Sequence, residues 1–156
     1  MCGIAGIVGQ DSDRLVTRML ATIEHRGRDD EGVWTSGQVD ESGIRLSLGH
    51  RRLAIIDTSR AGHQPMVSAD GRYVLTFGGE IYNYRELRTE LAGKGHVFKT
   101  QTDTEVLLTS FVQWGAGCLP RLNGMFHFAV WDNRERTLTL ARDHVGIKPL
   151  YYTHIP

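Results

Sequence analysis

A cysteine in the second position is the residue whose chemistry most constrains this sequence, which opens MCGIAGIVG. A methionine ahead of a small residue is commonly trimmed in cells. With Met1 gone, Cys2 carries both a thiol and a free α-amine. The amine has a reference pKa of about 7.7–8.0, so part of it is neutral near pH 7 and can take the thiol proton, directly or through one water. That matters because the thiolate is the nucleophile and a free thiol ionises only slightly at this pH. Nucleophile and base then sit on one residue. The competing reading is that a small apolar residue merely begins the first strand, and position alone gives the two even weight.

Three further features supply groups such a nucleophile needs. Arg52 stands just before the apolar stretch LAII, read as a strand, where its side chain can enter a cleft and grip a carboxylate with two parallel hydrogen bonds. Asp103 falls at a helix N-terminus, where it either helps cap the helix or offers a carboxylate to a cation. Gly78-Gly79-Glu80 closes a strand and opens a helix, and backbone N–H groups exposed there can bind a developing oxyanion; a tight turn is the plainer alternative. The glycines of GIAGIVG have the wrong spacing for a dinucleotide loop, with no strand before them. Histidines occur at 25, 50, 63, 96, 127, 144 and 154, none at zinc-ligand spacing. A Cys–His pairing stays open, since such partners meet only in the fold.

The elements that must position these groups follow from pattern. Residues 3–8 read as a short buried strand. Leu15, Val16, Met19, Leu20 and Ile23 form one face of a helix over 13–25, capped by Asp11, Ser12 or Asp13. Residues 26–32 read as a polar loop, 44–49 as a half-buried strand, the stretch through Pro65 as turn-rich, and 72–77 as a strand leading into GGE. A helix over 80–95 ends at Gly93 and Gly95. Thr102 and Glu105 fit a capping box ahead of a helix. MFHFAVWD and TLTLAR flank NRER as a hairpin, with Phe126, Phe128, Val130, Leu138 and Leu140 facing one core. Residues 150–152 begin one more strand. Strands outnumber helices, which suggests an α+β or layered αββα architecture.

Bulk properties bound the function. The 156 residues suit one domain, and 18 basic against 18 acidic side chains leave no net charge to favour nucleic acid or a membrane surface. Two cysteines are too few for a secreted disulfide framework. Neither a signal peptide nor a run of roughly 20 apolar residues is present, so a soluble, cytoplasmic protein is expected.

Seven motifs in order carry a resemblance over nearly the whole chain: MCGIAG, HRGRDDEG (25–32), GHRRLAIID (49–57), GGEIYNYRELR (78–88), TQTDTEVLL (100–108), RLNGMFHFAVWD (121–132) and ARDHVGIKPLYY (141–152). They resemble the N-terminal glutaminase domain of glutamine-hydrolysing asparagine synthetases, a class II glutamine amidotransferase among the N-terminal-nucleophile hydrolases. The resemblance implies a four-layer αββα sandwich of two antiparallel sheets with outer helices. It implies that Cys2 attacks the side-chain amide of L-glutamine, that ammonia leaves a γ-glutamyl thioester, and that water then releases glutamate. By the same resemblance Arg52 holds the α-carboxylate and Asp103 the α-amine. Leu53, Ala54, Ile55 and Ile56 with Gly78, Gly79 and Glu80 complete the pocket. No metal or cofactor serves this step; ATP and Mg belong to a synthetase domain absent from residues 1–156. A synthetase domain or subunit is the implied partner, and a homodimer is a further possibility.

Three departures qualify that expectation. Gly78 stands where the family has an asparagine whose side chain donates to the oxyanion, and losing one such donor typically costs about 10²–10³ in turnover. Slow hydrolysis is therefore expected, or a module that only binds glutamine or a partner chain. Arg28 replaces a loop-setting proline and is expected to loosen residues 25–32. The chain stops at Pro156, inside the family's usual domain, so a truncated domain lacking C-terminal strands is expected, with an unpaired sheet edge.

Overall fold

The computed structural model describes residues 2–37 and 41–154. Met1, whose removal the sequence reading requires, lies outside them. Two antiparallel sheets face each other. The first has the order β1-β3-β2, built from β1 (Gly3–Gly9), β2 (Asp30–Thr35) and β3 (Arg45–Arg52). The second has the order β4-β5-β6-β7, from β4 (Met66–Val67), β5 (Tyr73–Ile81), β6 (Gly124–Asp132) and β7 (Thr137–Arg142). Helix α1 (Ser12–Thr22) packs on the first sheet, while α2 (Tyr84–Gly93) and α3 (Asp103–Trp114) pack on the second. The result is the expected four-layer αββα arrangement.

Alternation along each strand sorts the core into layers. Phe77, Ile81, Phe126 and Phe128 face α2 and α3, where they meet Leu91, Leu107 and Phe111. Val74, Ala129 and Trp131 face the other way and meet Leu46 and Leu48 between the sheets. Each fully buried phenylalanine or leucine contributes about 1.5–3 kcal/mol. Polar stitches join the sheets as well: Thr76 Oγ1 donates to the Gly49 carbonyl at 3.1 Å, and His50 Nε2 lies 3.0 Å from the Phe77 carbonyl.

Several sequence-based expectations are corrected. Residues 30–32, read as the end of a polar loop, instead begin β2, because β3 offers a paired partner from Arg52 to Ser47. The stretch LAII is not a strand: the chain leaves β3 at Arg52 and loops. GGE is no turn, since β5 continues to Ile81 with every residue paired to β6, and α2 accordingly starts only at Tyr84. Leu138 packs with the inter-sheet cluster opposite Trp131, and Leu140 is exposed, so neither shares the face of Phe126 and Phe128. Residues 150–152 form no strand. On α1, Asp11 makes no side-chain cap, and Ser12 turns inward to Ser47 Oγ at 2.9 Å. Only Val16 and Leu20 of its expected face are fully buried. The capping box is half realised: Thr102 accepts from the Glu105 N–H at 3.1 Å, whereas Glu105 itself binds the Lys99 and Thr100 amides.

Candidate active site

A cavity of about 220 Å3 opens where the two sheets end beside the N-terminus of α3. Cys2 lines it just ahead of β1. Its Sγ lies against the backbone of Leu53, accepting from the Leu53 N–H at 3.3 Å and sitting 3.5 Å from the Leu53 carbonyl oxygen. The loop following β3 is shaped by Asp29, whose N–H donates to the Arg52 carbonyl at 3.0 Å and whose carboxylate accepts from the Ala54 N–H at 2.8 Å. Residues 25–32, expected to be loosened by Arg28, are thus tied through Asp29 to the cavity wall at Arg52 and Ala54.

Arg52 projects from the last position of β3 into the cavity wall and is 7% exposed. Its guanidinium donates to the Ser59 carbonyl at 2.7 Å and to the Asp57 carbonyl. It lies flat over Gly62, where an added Cβ would fall 2.1 Å from Nη2. Carbonyl acceptors orient the group without neutralising it, so its positive charge is delivered to the cavity.

Asp103 is the first residue of α3 and is 6% exposed. Its Oδ2 accepts from the Ile81 N–H at 3.0 Å. Burial raises its pKa to about 6, against the lowering effect of the Ile81 and Thr104 amides and with a further rise from Glu80. A buried carboxylate with that cost of charging is matched by a cation delivered into the cavity. Gly79 and Glu80 also line the wall. Gly79 has φ of 145° and an added Cβ would lie 2.1 Å from the Met125 carbonyl oxygen, so only glycine fits and the strand keeps its N–H at the rim.

The cavity therefore gathers Cys2, Arg52, Leu53 to Ile56, Gly79, Glu80 and Asp103 from the sequence reading; Gly78 is not part of its lining. Sequence reasoning missed Gln64, Thr104, Met125 and Lys148. Gln64 spans β5 and α3, with Oε1 accepting from the Phe77 N–H at 2.7 Å and Nε2 donating to Thr104 Oγ1 at 3.3 Å. Lys148 is carried by a loop fastened to Asp143, whose carboxylate accepts from the amides of Phe126, Ile147 and Lys148. No local signal marks these positions, since each depends on a contact distant in sequence. Among the described residues no cluster of histidine, cysteine or acidic side chains is arranged to hold a metal ion. No helix among them is long and apolar enough to cross a membrane.

A layered αββα fold with a cysteine at position 2, an arginine and a buried acid around one cavity defines a class of amide-processing domains. The chain belongs to the glutamine amidotransferase domain family, whose sequence profile matches residues 1–156. It is similar to asparagine synthetase [glutamine-hydrolyzing] 3 of Bacillus subtilis, 41% identical over 98% of this chain and 25% of that protein. It is also similar to a putative asparagine synthetase [glutamine-hydrolyzing] of Mycobacterium tuberculosis, 45% identical over 96% of this chain and 23% of that one. The chain spans about a quarter of the relatives it matches. Among solved structures, the glutamine phosphoribosylpyrophosphate amidotransferase of B. subtilis superposes with a TM-score of 0.69 at 19% identity, over 85% of this chain and 35% of that one, which shows the shared fold.

Proposed function

We propose that residues 1–156 form a glutaminase domain that hydrolyses the side-chain amide of L-glutamine to glutamate and ammonia through a γ-glutamyl thioester on Cys2. The observation that carries this reading is the convergence of a thiol, an oriented guanidinium and a buried carboxylate on one small cavity. Arg52 takes the α-carboxylate and Asp103 the α-ammonium, which fixes an amino acid at its backbone end and leaves the side chain to reach Cys2. The loop from Leu53 to Ile56 and the strand through Glu80 wall the channel between them. Gly79 N–H is one donor to the oxygen of the tetrahedral intermediate. With Met1 removed, the α-amine of Cys2 is available to accept the thiol proton. The step uses no metal or cofactor. The ammonia serves a cytoplasmic synthetase domain or subunit, where ATP and Mg are used, and asparagine is the product its relatives' names suggest. Homodimerisation is compatible with this role.

A second reading, a module that binds glutamine without efficient turnover, is favoured by one observation: position 78 has no side chain to donate to the intermediate. Ammonia release from glutamine separates the two. The glutaminase reading expects release that vanishes in Cys2→Ala; equal rates for both proteins would end it, while glutamine binding without release would establish the second reading.

A further inference from the structure

Gly78 and His127 are directly opposed in the β5–β6 ladder. Both point between the sheets, on the side of β6 that carries Ala129 and Trp131. The volume above Gly78 is filled: a Cβ built there would lie 2.4 Å from His127 Nε2 and 2.8 Å from its Cδ2. The same point is 3.6 Å from the carbonyl oxygen of Cys2. The imidazole thus occupies the place of a position-78 side chain, next to the residue that bears the thiol. Bond lengths of about 1.52 and 1.33 Å put the amide nitrogen of an asparagine roughly 2.4 Å from its own Cβ, so Nε2 stands at the reach such a donor would have.

The ring's other nitrogen is committed. His127 Nδ1 lies 2.8 Å from the Pro149 carbonyl oxygen, which only accepts, so Nδ1 carries the proton and Nε2 of the neutral ring holds a lone pair. Nε2 has no hydrogen-bond partner among the described residues. His127 is 8% exposed, and burial lowers its pKa, against the raising effect of the Pro149 carbonyl. The charges facing it are Arg26, which follows α1, and Lys148 and Asp143 of the loop after β7; the first two oppose protonation and the third favours it. The resting ring is therefore a neutral base in the space above Gly78.

We propose that His127 replaces the side chain missing from position 78: its Nε2 receives the Cys2 thiol proton and, so protonated, is the second hydrogen-bond donor to the oxygen of the tetrahedral intermediate. The proposal rests on the glutaminase reading. Sγ–H loses its proton to Nε2, directly or through the α-amine, as the sulfur–carbon bond forms and the carbonyl pair moves to oxygen. That oxygen is then held by Gly79 N–H and His127 Nε2–H. When the pair returns, the carbon–nitrogen bond breaks and Nε2 gives its proton to the departing nitrogen, releasing ammonia. Water entering the thioester repeats the cycle, its proton passing through Nε2 to sulfur.

The test is ammonia release, resolved into kcat and KM over pH, for wild type, Cys2→Ala, His127→Ala, Gly78→Asn and the double variant Gly78→Asn/His127→Ala. We expect His127→Ala to lower kcat about 100-fold with KM little changed, as for loss of an oxyanion donor. Gly78→Asn alone meets the imidazole and gains nothing. The double variant recovers at least about tenfold over His127→Ala and loses the wild type's acid limb in kcat, which a merely structural role would not produce. Cys2-dependent release with kcat of His127→Ala within about threefold of wild type would overturn the role of His127 and leave the glutaminase reading standing. No Cys2-dependent release from wild type would overturn both. Should His127→Ala not fold, the glutamine γ-aldehyde analogue bound to wild-type Cys2 decides by nitrogen NMR: a protonated Nε2 in the adduct is expected, and an unprotonated one contradicts the proposal.

Discussion

Asp103 shows how a single side chain carries both recognition and a pH signature. Its carboxyl, raised to about 6 by burial, is charged in the empty cavity at neutral pH and protonated below that value. An ammonium bound beside it requires the charged form. Affinity for glutamine should therefore be flat above pH 6 and fall about tenfold for each unit below it. Steady-state KM over this range checks the slope, and Asp103→Asn should raise KM about 100-fold while abolishing its pH dependence, with kcat changed far less. A KM in wild type that ignores pH between 5 and 7 would remove Asp103 from the ammonium site. Arg52 stood out in the sequence as a charge just ahead of an apolar run, and Asp103 as an acid at a helix N-terminus. What holds them was not legible: Arg52 is aimed by the carbonyls of Asp57 and Ser59 and by the bare face of Gly62, which only the folded loop brings together.

The elements divide by how local their causes are. The β6–β7 hairpin and the Thr102 cap were readable because alternation and capping act over a few residues. β2 and β4 were not, because an edge strand exists through its partner, and Gly78 was placed at a strand's end because its pairing with His127 spans 49 positions of chain. The loop after β7 makes this dependence measurable. Burial works against the charge of Asp143, yet the amides of Lys148, Ile147 and Phe126 bring its pKa down to about 2. That carboxylate fixes Lys148 in the cavity wall and, one residue on, the Pro149 carbonyl that orients His127. Asp143→Asn should cost about 1–3 kcal/mol in urea unfolding, because one oxygen acceptor becomes a donor facing N–H groups. Hydrogen exchange at the Ile147 and Lys148 amides should quicken in the variant; unchanged exchange there would show that the loop is held by other means.

Across the molecule, the two sheets are joined near the site by a buried histidine that cannot afford a charge. His50 is 1% exposed, and burial lowers its pKa to about 4, outweighing the raising effect of the Phe77 carbonyl. Its folded value lies below its ordinary 6.5, so the unfolded chain binds the extra proton between these values. Its contribution is therefore fully present above pH 6.5, lost progressively as pH falls to about 4, and amounts to on the order of 3 kcal/mol. Asp103, with a raised folded pKa, works in the opposite sense between its unfolded value and about 6, so the total curve mixes both. Urea unfolding of wild type and His50→Gln isolates the histidine: the difference in stability should shrink by that amount from pH 7 to 4, and a constant difference would contradict it. The excess of strands over helices made an α+β or layered architecture legible in the sequence, and the ordered motifs, through the resemblance they carry, narrowed it to the four-layer sandwich.

The most direct test of the central claim is the mass of the enzyme during turnover. Wild-type protein mixed with glutamine and quenched in acid should carry a glutamyl group, located by peptide mapping to Cys2 at the mature N-terminus, and Cys2→Ala should carry none. Ammonia released at the wild-type rate by Cys2→Ala, or a glutamyl group found on another residue, would contradict the account.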